Sequence, residues 1–390
     1  SCTRAYSDYF FREFAPPFAA AGLSLKKITK ILRRHEQTIQ SEVTCLSQAL
    51  PHNCTIEMGL ALFALSRFEE IRVCNSKEEF ARRIGSRDFS PKFLRTWDQF
   101  MDEYGHRCPN ELDIATPRFF ERPADLFWQL KSLSRNMGDV TNPKAVFEGG
   151  IGRRAQAFTT LLEKARGFGK EKKLKRHYEV ITNFMGYREL PKSQIVAIFA
   201  QMRVRALSLG RMFVEQGRLD HMDEVFDLTV ANADRAASNP GVDLRGMVQK
   251  NAAFKKSMKS VRHFPRVIDS RGRILRPPQR TGQPGELIGE PISPGVIQGR
   301  VKVLLHPDEK EVLPGEILVT RATDPGWTTL FLNAAGIVLE VGGVLQHGAL
   351  VAREYCKPCV AGIEGVASLL KDGDLVEVDG SLGIIRVIGK

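Results

Sequence analysis

The hydrophobic pattern of this chain changes its period once, near residue 264, and this change restricts the fold more than any other feature. Before it, apolar residues recur with the helical spacing of 3.6, as in 60–68 and 195–202. After Gly285 the pattern turns to short strand-like runs, and 299–305 alternates with a period of two. We therefore predict a multidomain chain, with a mainly α-helical domain over 1–264 and a small α/β domain over 285–390.

The segment between them, 265–284, has a different composition. It holds Arg271-Gly272-Arg273 and the pair Pro277-Pro278, which together predict a stiff, basic linker. Beyond it we predict buried strands at 316–320 and 336–340 and a terminal hairpin formed by 374–379 and 383–388. Helices are predicted after His347 and near 364–370, which gives the last domain a β/β/α character.

The composition narrows the class of protein. Apolar residues make up 43% and charged residues 26% of the 390 positions, and no apolar run approaches the length of a membrane span. The seven cysteines are scattered and odd in number, which favours reduced thiols. We expect a cytoplasmic protein without a membrane partner. The chain starts without Met in helix-like sequence, so we expect a fragment of a longer protein.

Charge is distributed unevenly between the two predicted domains. Residues 285–390 carry 9 Lys/Arg and 14 Asp/Glu, a net −5, whereas 1–284 carry a net +17. The positive excess is typical either of solvated helix faces beside an acidic neighbour or of an anion-binding surface. The basic run over 164–176 contains one aromatic residue, Phe168, so base stacking is poorly supported and we expect no nucleic-acid partner.

His347 is the strongest candidate for a catalytic residue. It follows the glycine pair Gly342-Gly343 and precedes a run of helix-forming residues, so its imidazole is predicted at a helix N-terminus. Free backbone N–H groups and the helix dipole favour an anion there, and an imidazole in that position can carry a phosphoryl group. The candidate phosphate-binding residues around it are Gly342, Gly343, Thr323 and Arg353.

The residues around His347 resemble a known domain. The matching segments are Thr323-Asp324-Pro325-Gly326-Trp327, Tyr355-Cys356-Lys357-Pro358-Cys359 and Ser293-Pro294-Gly295-Val296. Together they resemble the swivelling phosphohistidine domain of the phosphoenolpyruvate-utilising enzymes, such as phosphoenolpyruvate synthase, pyruvate phosphate dikinase and rifampin phosphotransferase. The resemblance implies that His347 accepts a phosphoryl group derived from ATP. One departure is Gln346, where the family usually has Ser, Thr or Cys.

A second cluster lies in the helical part, at His106-Arg107 and the nearby Glu111 and Asp113. This segment and Tyr187-Arg188-Glu189 resemble the acceptor-binding domain of rifampin phosphotransferase-like proteins. Phosphoryl transfer to a hydroxyl needs a base and a cationic clamp, and we predict His106 as the base and Arg107 as the clamp. The alternative is an ion pair of Arg107 with Glu111 or Asp113 that fixes a loop.

Candidate acceptor-binding residues are Glu111, Asp113 and Trp128, although aromatic residues at helical spacing are more often part of a core.

The order of a helical acceptor domain followed by the histidine domain matches the C-terminal part of a rifampin phosphotransferase-like enzyme. The resemblance implies ATP and Mg²⁺ bound by an ATP-grasp domain, joined in cis or acting in trans, and a small-molecule acceptor. We find no ATP-grasp sequence and predict no metal site in this chain. The chain alone is then expected to be inactive. The alternative is a non-catalytic interaction or scaffold protein that kept both domains.

Overall fold

The computed structural model describes residues 8–32, 39–135, 143–166, 169–258, 267–275, 282–283, 285–343 and 346–389. These residues divide into two compact units. The larger unit combines 1–111, 118–196 and 282–390, and the smaller one combines 112–117 and 197–281. Among the described helices, none is both long and apolar enough to cross a bilayer.

The N-terminal part of the larger unit, which we call the helical region (residues 8–111 and 118–196), begins with a π-helical turn at Phe10–Phe14 and has short 3₁₀ helices at Pro123–Leu126 and Gly186–Glu189. Its α-helices are α1 (Ala15–Ile31), α2 (Gln40–Cys45), α3 (Cys54–Ser66), α4 (Glu69–Val73), α5 (Lys77–Gly85), α6 (Pro91–Tyr104), α7 (Phe127–Ser134), α8 (Pro143–Ala165), α9 (Glu171–Phe184) and the first turns of α10 (Leu190–Glu215).

Local sequence explains where these helices begin and which face they bury. In α6, Ser90 accepts a hydrogen bond from the backbone N–H of Phe93, and Pro91 occupies the first turn, where its missing N–H costs nothing. Phe93, Trp97, Phe100 and Tyr104 then recur at helical spacing and form the buried face. The glycine-rich segment around Gly150 lies inside α8, where Gly150 allows close approach to Ala49.

The smaller unit contains the rest of α10, a 3₁₀ helix at Met222–Asp227, α11 (Val230–Ser238) and α12 (Leu244–Met258). Its core consists of Phe213, Leu219, Ala236, Leu244 and Val248. Two strands, β1 (Val267–Ile268) and β2 (Ile274–Leu275), pair as a short antiparallel hairpin. This hairpin lies in the first half of the predicted linker 265–284. Residues 265–266, 276–281 and 284 of that linker lie outside the described residues, so the linker and the domain boundaries stay a prediction.

Residues 285–389, which we call the sheet region, form an eight-stranded mixed sheet in the order β3-β10-β9-β5-β6-β7-β8-β4. Strands β5 to β8 run parallel, and the remaining pairs are antiparallel. The strands are β3 (Glu286–Ile288), β4 (Glu290–Ser293), β5 (Val296–Val303), β6 (Ile317–Thr320), β7 (Gly336–Leu339), β8 (Cys359–Ala361), β9 (Leu375–Asp379) and β10 (Ile384–Gly389). Three helices accompany them: α13 (Thr328–Asn333), α14 (His347–Glu354) and α15 (Val366–Leu369).

The predicted fold class is confirmed, because a mainly helical part precedes a small mixed sheet. Within the larger unit, the sheet region and the helical region share one apolar core. Leu330 and Phe331 of α13 are fully buried in the same cluster as Leu62 of α3 and Leu130 of α7. Partly buried ion pairs such as Lys77–Asp308, at 3.1 Å, also join the two regions. The charge asymmetry of the sequence suggests an electrostatic contact between the helical region and the sheet region. The centre of that contact is instead formed by apolar side chains.

Candidate functional site

His347 is the first residue of α14, as the sequence predicts. The residue before it, Gln346, has extended backbone and makes no side-chain hydrogen bond to the helix end. The first N–H groups of α14 therefore receive no cap from Gln346, which leaves them able to face an anion. A Ser or Thr at this position would compete for those groups, so the departure at Gln346 removes a capping hydroxyl from the helix start.

Both ring nitrogens of His347 face polar side chains. Nδ1 lies 3.5 Å from Oε2 of Glu189, which is within the range of an ion pair but longer than a well-formed hydrogen bond. Nε2 lies 3.5 Å from the hydroxyl oxygen of Thr328, at the start of α13. The His347 and Glu189 side chains are only 9% and 11% exposed. A carboxylate at Nδ1 favours the tautomer with the proton on Nδ1, which leaves a lone pair on Nε2.

Glu189 ends the short helix that precedes α10, and cations surround it. Arg188 donates to Oε1 of Glu189, and Lys192 is one turn further along the chain. Burial alone would raise the pKa of Glu189. The contact with His347 and the charges of Arg188 and Lys192 outweigh burial and lower this pKa to about 2. Glu189 is therefore ionised at any physiological pH.

The start of α10 links His347 to the cluster at residue 106. Glu189 ends the 3₁₀ helix before α10, and Lys192 and Ser193 follow three and four residues later, in the first turn of α10. Lys192 Nζ lies 3.1 Å from Oε2 of Glu111, and Ser193 Oγ accepts from Arg107 at 3.3 Å. The same Ser193 hydroxyl is 3.5 Å from Nε2 of His106.

Arg107 and Glu111 form a buried ion pair, with Nε of the guanidinium donating to the carboxylate. The two side chains are 2% and 1% exposed. Of the two pairings that the sequence left open, the structure forms the one with Glu111. Next to them, burial and the charge of Arg107 lower the pKa of His106 to about 4, so its imidazole is neutral at pH 7.

The loop before α13 reaches the same cluster. Asp324 accepts hydrogen bonds from the backbone N–H groups of Asn110, at 2.5 Å, and Gly326, at 2.9 Å. Burial raises the pKa of Asp324, although these N–H groups and the charge of His347 oppose that rise. Asp324 thus connects the loop that follows Arg107 with the loop that carries Thr323.

The predicted phosphate-binding residues occupy different places around α14. Thr323 lies over the first turn, where a Cβ at Gly348 would overlap its hydroxyl oxygen, and that buried oxygen has no hydrogen-bond partner among the described residues. Gly342 is needed for packing, since an added Cβ would lie 2.7 Å from the Cβ of Ala361. Arg353 is at the far end of α14, about 9 Å along the axis from His347.

Two predicted acceptor-binding residues, Asp113 and Trp128, contact residues that are close to them in the chain. Asp113 belongs to the smaller unit and accepts from the backbone N–H of Ala115, at 2.9 Å, and from the hydroxyl of Thr116. Trp128 is partly buried against the main core and makes an edge contact with Phe127. Their roles in acceptor binding stay predictions, as does a role for Gly343, whose added Cβ would be 3.7 Å from Glu290.

Sequence reasoning missed Glu189, Lys192, Ser193 and Thr328 as site residues. The first three carried a weak signal, because charged and hydroxyl side chains at spacings of three and four mark one helix face. No group of three or more His, Cys, Asp or Glu in the described part of the chain has a metal-binding arrangement. The arrangement as a whole presents a nucleophilic imidazole, cations and unpaired donors, which suits the transfer of an anionic group.

The chain is similar to known phosphotransferases. The protein-family model described as "Rifampicin phosphotransferase fourth domain" matches residues 11–189. The family model described as "PEP-utilising enzyme, mobile domain" matches residues 312–383. Rifampicin phosphotransferases of Bacillus cereus and Streptomyces sviceus are each 32% identical over 358 residues, covering 88% of this chain. An uncharacterised phosphotransferase of Bacillus subtilis is 25% identical over 335 residues, 81% of this chain and 39% of its own length. The chain spans 41% of the length of the two rifampicin phosphotransferases.

Proposed function

Because this chain belongs to the rifampicin phosphotransferase family, we propose that it carries a phosphoryl group on His347 and delivers it to a small-molecule acceptor. The group is the β-phosphoryl group of ATP, which is split to AMP and inorganic phosphate on an ATP-grasp domain that also binds Mg²⁺ and acts in cis or in trans. The enzyme works in the cytoplasm, where ATP is available. The observation that supports this proposal most directly is the position of His347, at a helix N-terminus with Glu189 at Nδ1.

In this proposal Nε2 of His347 is the phosphoryl carrier. Glu189 holds the proton on Nδ1 and stabilises the positive charge that the ring gains when Nε2 forms a bond to phosphorus. The free N–H groups of α14 and the hydroxyls of Thr323 and Thr328 are then placed to donate to phosphoryl oxygens. Lys192 adds positive charge on the side of the helical region.

Delivery to the acceptor is a single displacement at phosphorus. The bond between phosphorus and Nε2 breaks while a bond forms to the acceptor hydroxyl oxygen, the electron pair returns to Nε2, and the hydroxyl proton passes to a base. His106 is our candidate base, because its pKa of about 4 keeps the imidazole unprotonated at neutral pH. Arg107 is fixed by Glu111 and Ser193, and its guanidinium is our candidate clamp.

The carrier role is tested by incubating the chain with ATP labelled at its β-phosphoryl group in the presence of a matching ATP-grasp domain. We expect an acid-labile, base-stable phosphate that is lost in His347→Ala and retained in His306→Ala, a matched change at an exposed histidine. Label that persists in His347→Ala would refute the assignment of His347 as the phosphoryl carrier. A chain that folds and never takes up label would favour the alternative of a non-catalytic interaction or scaffold protein. The departure at Gln346 is the sequence observation that supports this alternative.

Transfer of the phosphoryl group from His347 to the acceptor is tested separately, with the phosphorylated chain. His106→Ala should keep the phosphate on His347 but slow its onward transfer by roughly 10²–10⁴-fold, the usual cost of losing a general base. Glu189→Gln should slow both phosphorylation and transfer, because the amide can no longer neutralise the charged ring. Normal onward transfer in a folded His106→Ala protein would remove His106 from the mechanism.

A further inference from the structure

Helix α14 contacts the helical region at both of its ends. At its start, His347 faces Glu189. At its last residue, Oε1 of Glu354 accepts a hydrogen bond of 2.8 Å from the side-chain amide of Asn53. Eight residues of helix span about 12 Å, so these two contacts fix the direction of the helix as well as the position of His347.

The partner of Glu354 is itself rigidly held. Asn53 caps α3, because its side-chain oxygen accepts from the N–H groups of Thr55 and Ile56 at 3.2 and 3.4 Å. The loop before it contains Ala49 and His52 in the left-handed backbone region, which ordinary residues adopt only when their surroundings impose it. Within that loop, the Gln48 amide also donates to the backbone carbonyl of Arg353, at 3.3 Å. The loop therefore offers α14 a preformed contact surface.

The carboxyl group of Glu354 is only half satisfied there. Its second oxygen, Oε2, is buried and has no hydrogen-bond partner among the described residues. A buried, ionised carboxylate is stable only when both of its oxygens accept hydrogen bonds, because an unpaired buried charge is costly. The neutral acid costs less to bury than the ionised form, because Oε1 accepts the hydrogen bond from the Asn53 amide as a carbonyl oxygen and Oε2 bears the proton instead of a charge.

We propose that Glu354 is a positioning residue that latches the sheet region onto the helical region in its protonated form, so that docking of His347 takes up one proton. This inference rests on the proposed function, because it assumes that the two regions separate when His347 collects its phosphoryl group. The charged or titratable groups around the latch are Arg188 and Glu189 on the facing turn, Arg353 beside it on α14, and Tyr355 after it.

The electrostatics of the site agree with this geometry. Burial raises the pKa of Glu354 to about 8, and the charge of Glu189 adds to that rise, while Arg188, Asn53 and Arg353 oppose it. When the regions part, the carboxyl meets water and its pKa returns to roughly 4.3. Docking is then strongest below that lower value. It weakens about tenfold for each pH unit between the two values and levels off above the higher one.

Amide hydrogen exchange on the full chain measures this directly. Protection factors for the α14 amides, already corrected for intrinsic exchange, should fall about tenfold per unit between pH 5 and pH 7 in the wild type. Glu354→Gln keeps an oxygen acceptor for Asn53 and cannot ionise, so its protection should stay flat over the same range. Glu364→Gln, which removes an exposed carboxylate in the same region, should behave like the wild type.

A flat wild-type profile, or the wild-type slope in Glu354→Gln, would overturn the latch. If Glu354→Gln does not fold, Asn53→Ser replaces it. Serine retains a capping oxygen for α3 but lacks the longer side-chain amide that donates to Glu354, so protection of α14 should drop at every pH. Unchanged protection in Asn53→Ser would equally overturn the latch. Phosphate labelling separates the two proposals: pH-dependent protection without any label on His347 contradicts only the proposed function.

Discussion

Removing one member of the buried Arg107–Glu111 pair should be far more damaging than removing both. In Glu111→Ala the guanidinium stays buried without its counter-charge, which typically costs 3–5 kcal/mol. At roughly 2–4 °C for each kcal/mol, the melting temperature should fall by about 6–20 °C. In Arg107→Met combined with Glu111→Leu, apolar side chains fill the same space, so we expect a loss well below the sum of the two single changes.

The assay is thermal and urea unfolding of Glu111→Ala, of Arg107→Met and Glu111→Leu singly and combined, and of Asp102→Ala, a control on the exposed face of α6 that should stay within about 0.5 kcal/mol of wild type. Onward transfer from His347 is measured on the same proteins. Arg107→Lys serves as the functional probe, because it keeps the charge and loses the bidentate fork. Single changes that cost under 1 kcal/mol, or costs that simply add in the double variant, would refute the reasoning about a buried, mutually compensating pair.

Three further outcomes follow from the geometry. Gly348→Ala should lower the melting temperature and the extent of labelling, because the new methyl group meets Thr323, and Thr323→Ala should restore part of the loss when the two changes are combined. Thr328→Val should slow phosphorylation at the adjacent Nε2 without a large change in melting temperature. The folded protein holds His106 neutral, so stability should fall as the pH drops from about 6.5 towards 4; urea unfolding of His106→Gln should show a smaller fall.

Periodicity in the sequence was sufficient for the main elements. The buried strands β6 and β7 and the hairpin of β9 and β10 lie where alternation and turn residues predict them, and α14 begins at the predicted histidine. Strands β3, β4 and β8 were not predicted. They are three or four residues long, β4 contains a proline, and their pairing partners are distant in the chain, so no local pattern marks them.

The site was only partly predictable for a similar reason. His347, His106 and Arg107 stand in local motifs whose chemistry can be interpreted residue by residue. Glu189 and Ser193 acquire meaning only when the start of α10 is brought between those motifs, which depends on tertiary packing. Glu354 is a stronger case, since a glutamate at the end of a helix is ordinary until Asn53 and the surrounding burial are known.

The apolar core shared by the helical and sheet regions has a thermal consequence. Separating the two regions would expose Leu330 and Phe331 together with the side chains they meet on α3 and α7. Exposure of such surface raises the heat capacity, and association driven by it weakens on cooling. A phosphoryl-transfer cycle limited by docking of these regions would therefore slow in the cold more steeply than its chemical step alone, whereas one limited by their release would be partly protected against low temperature.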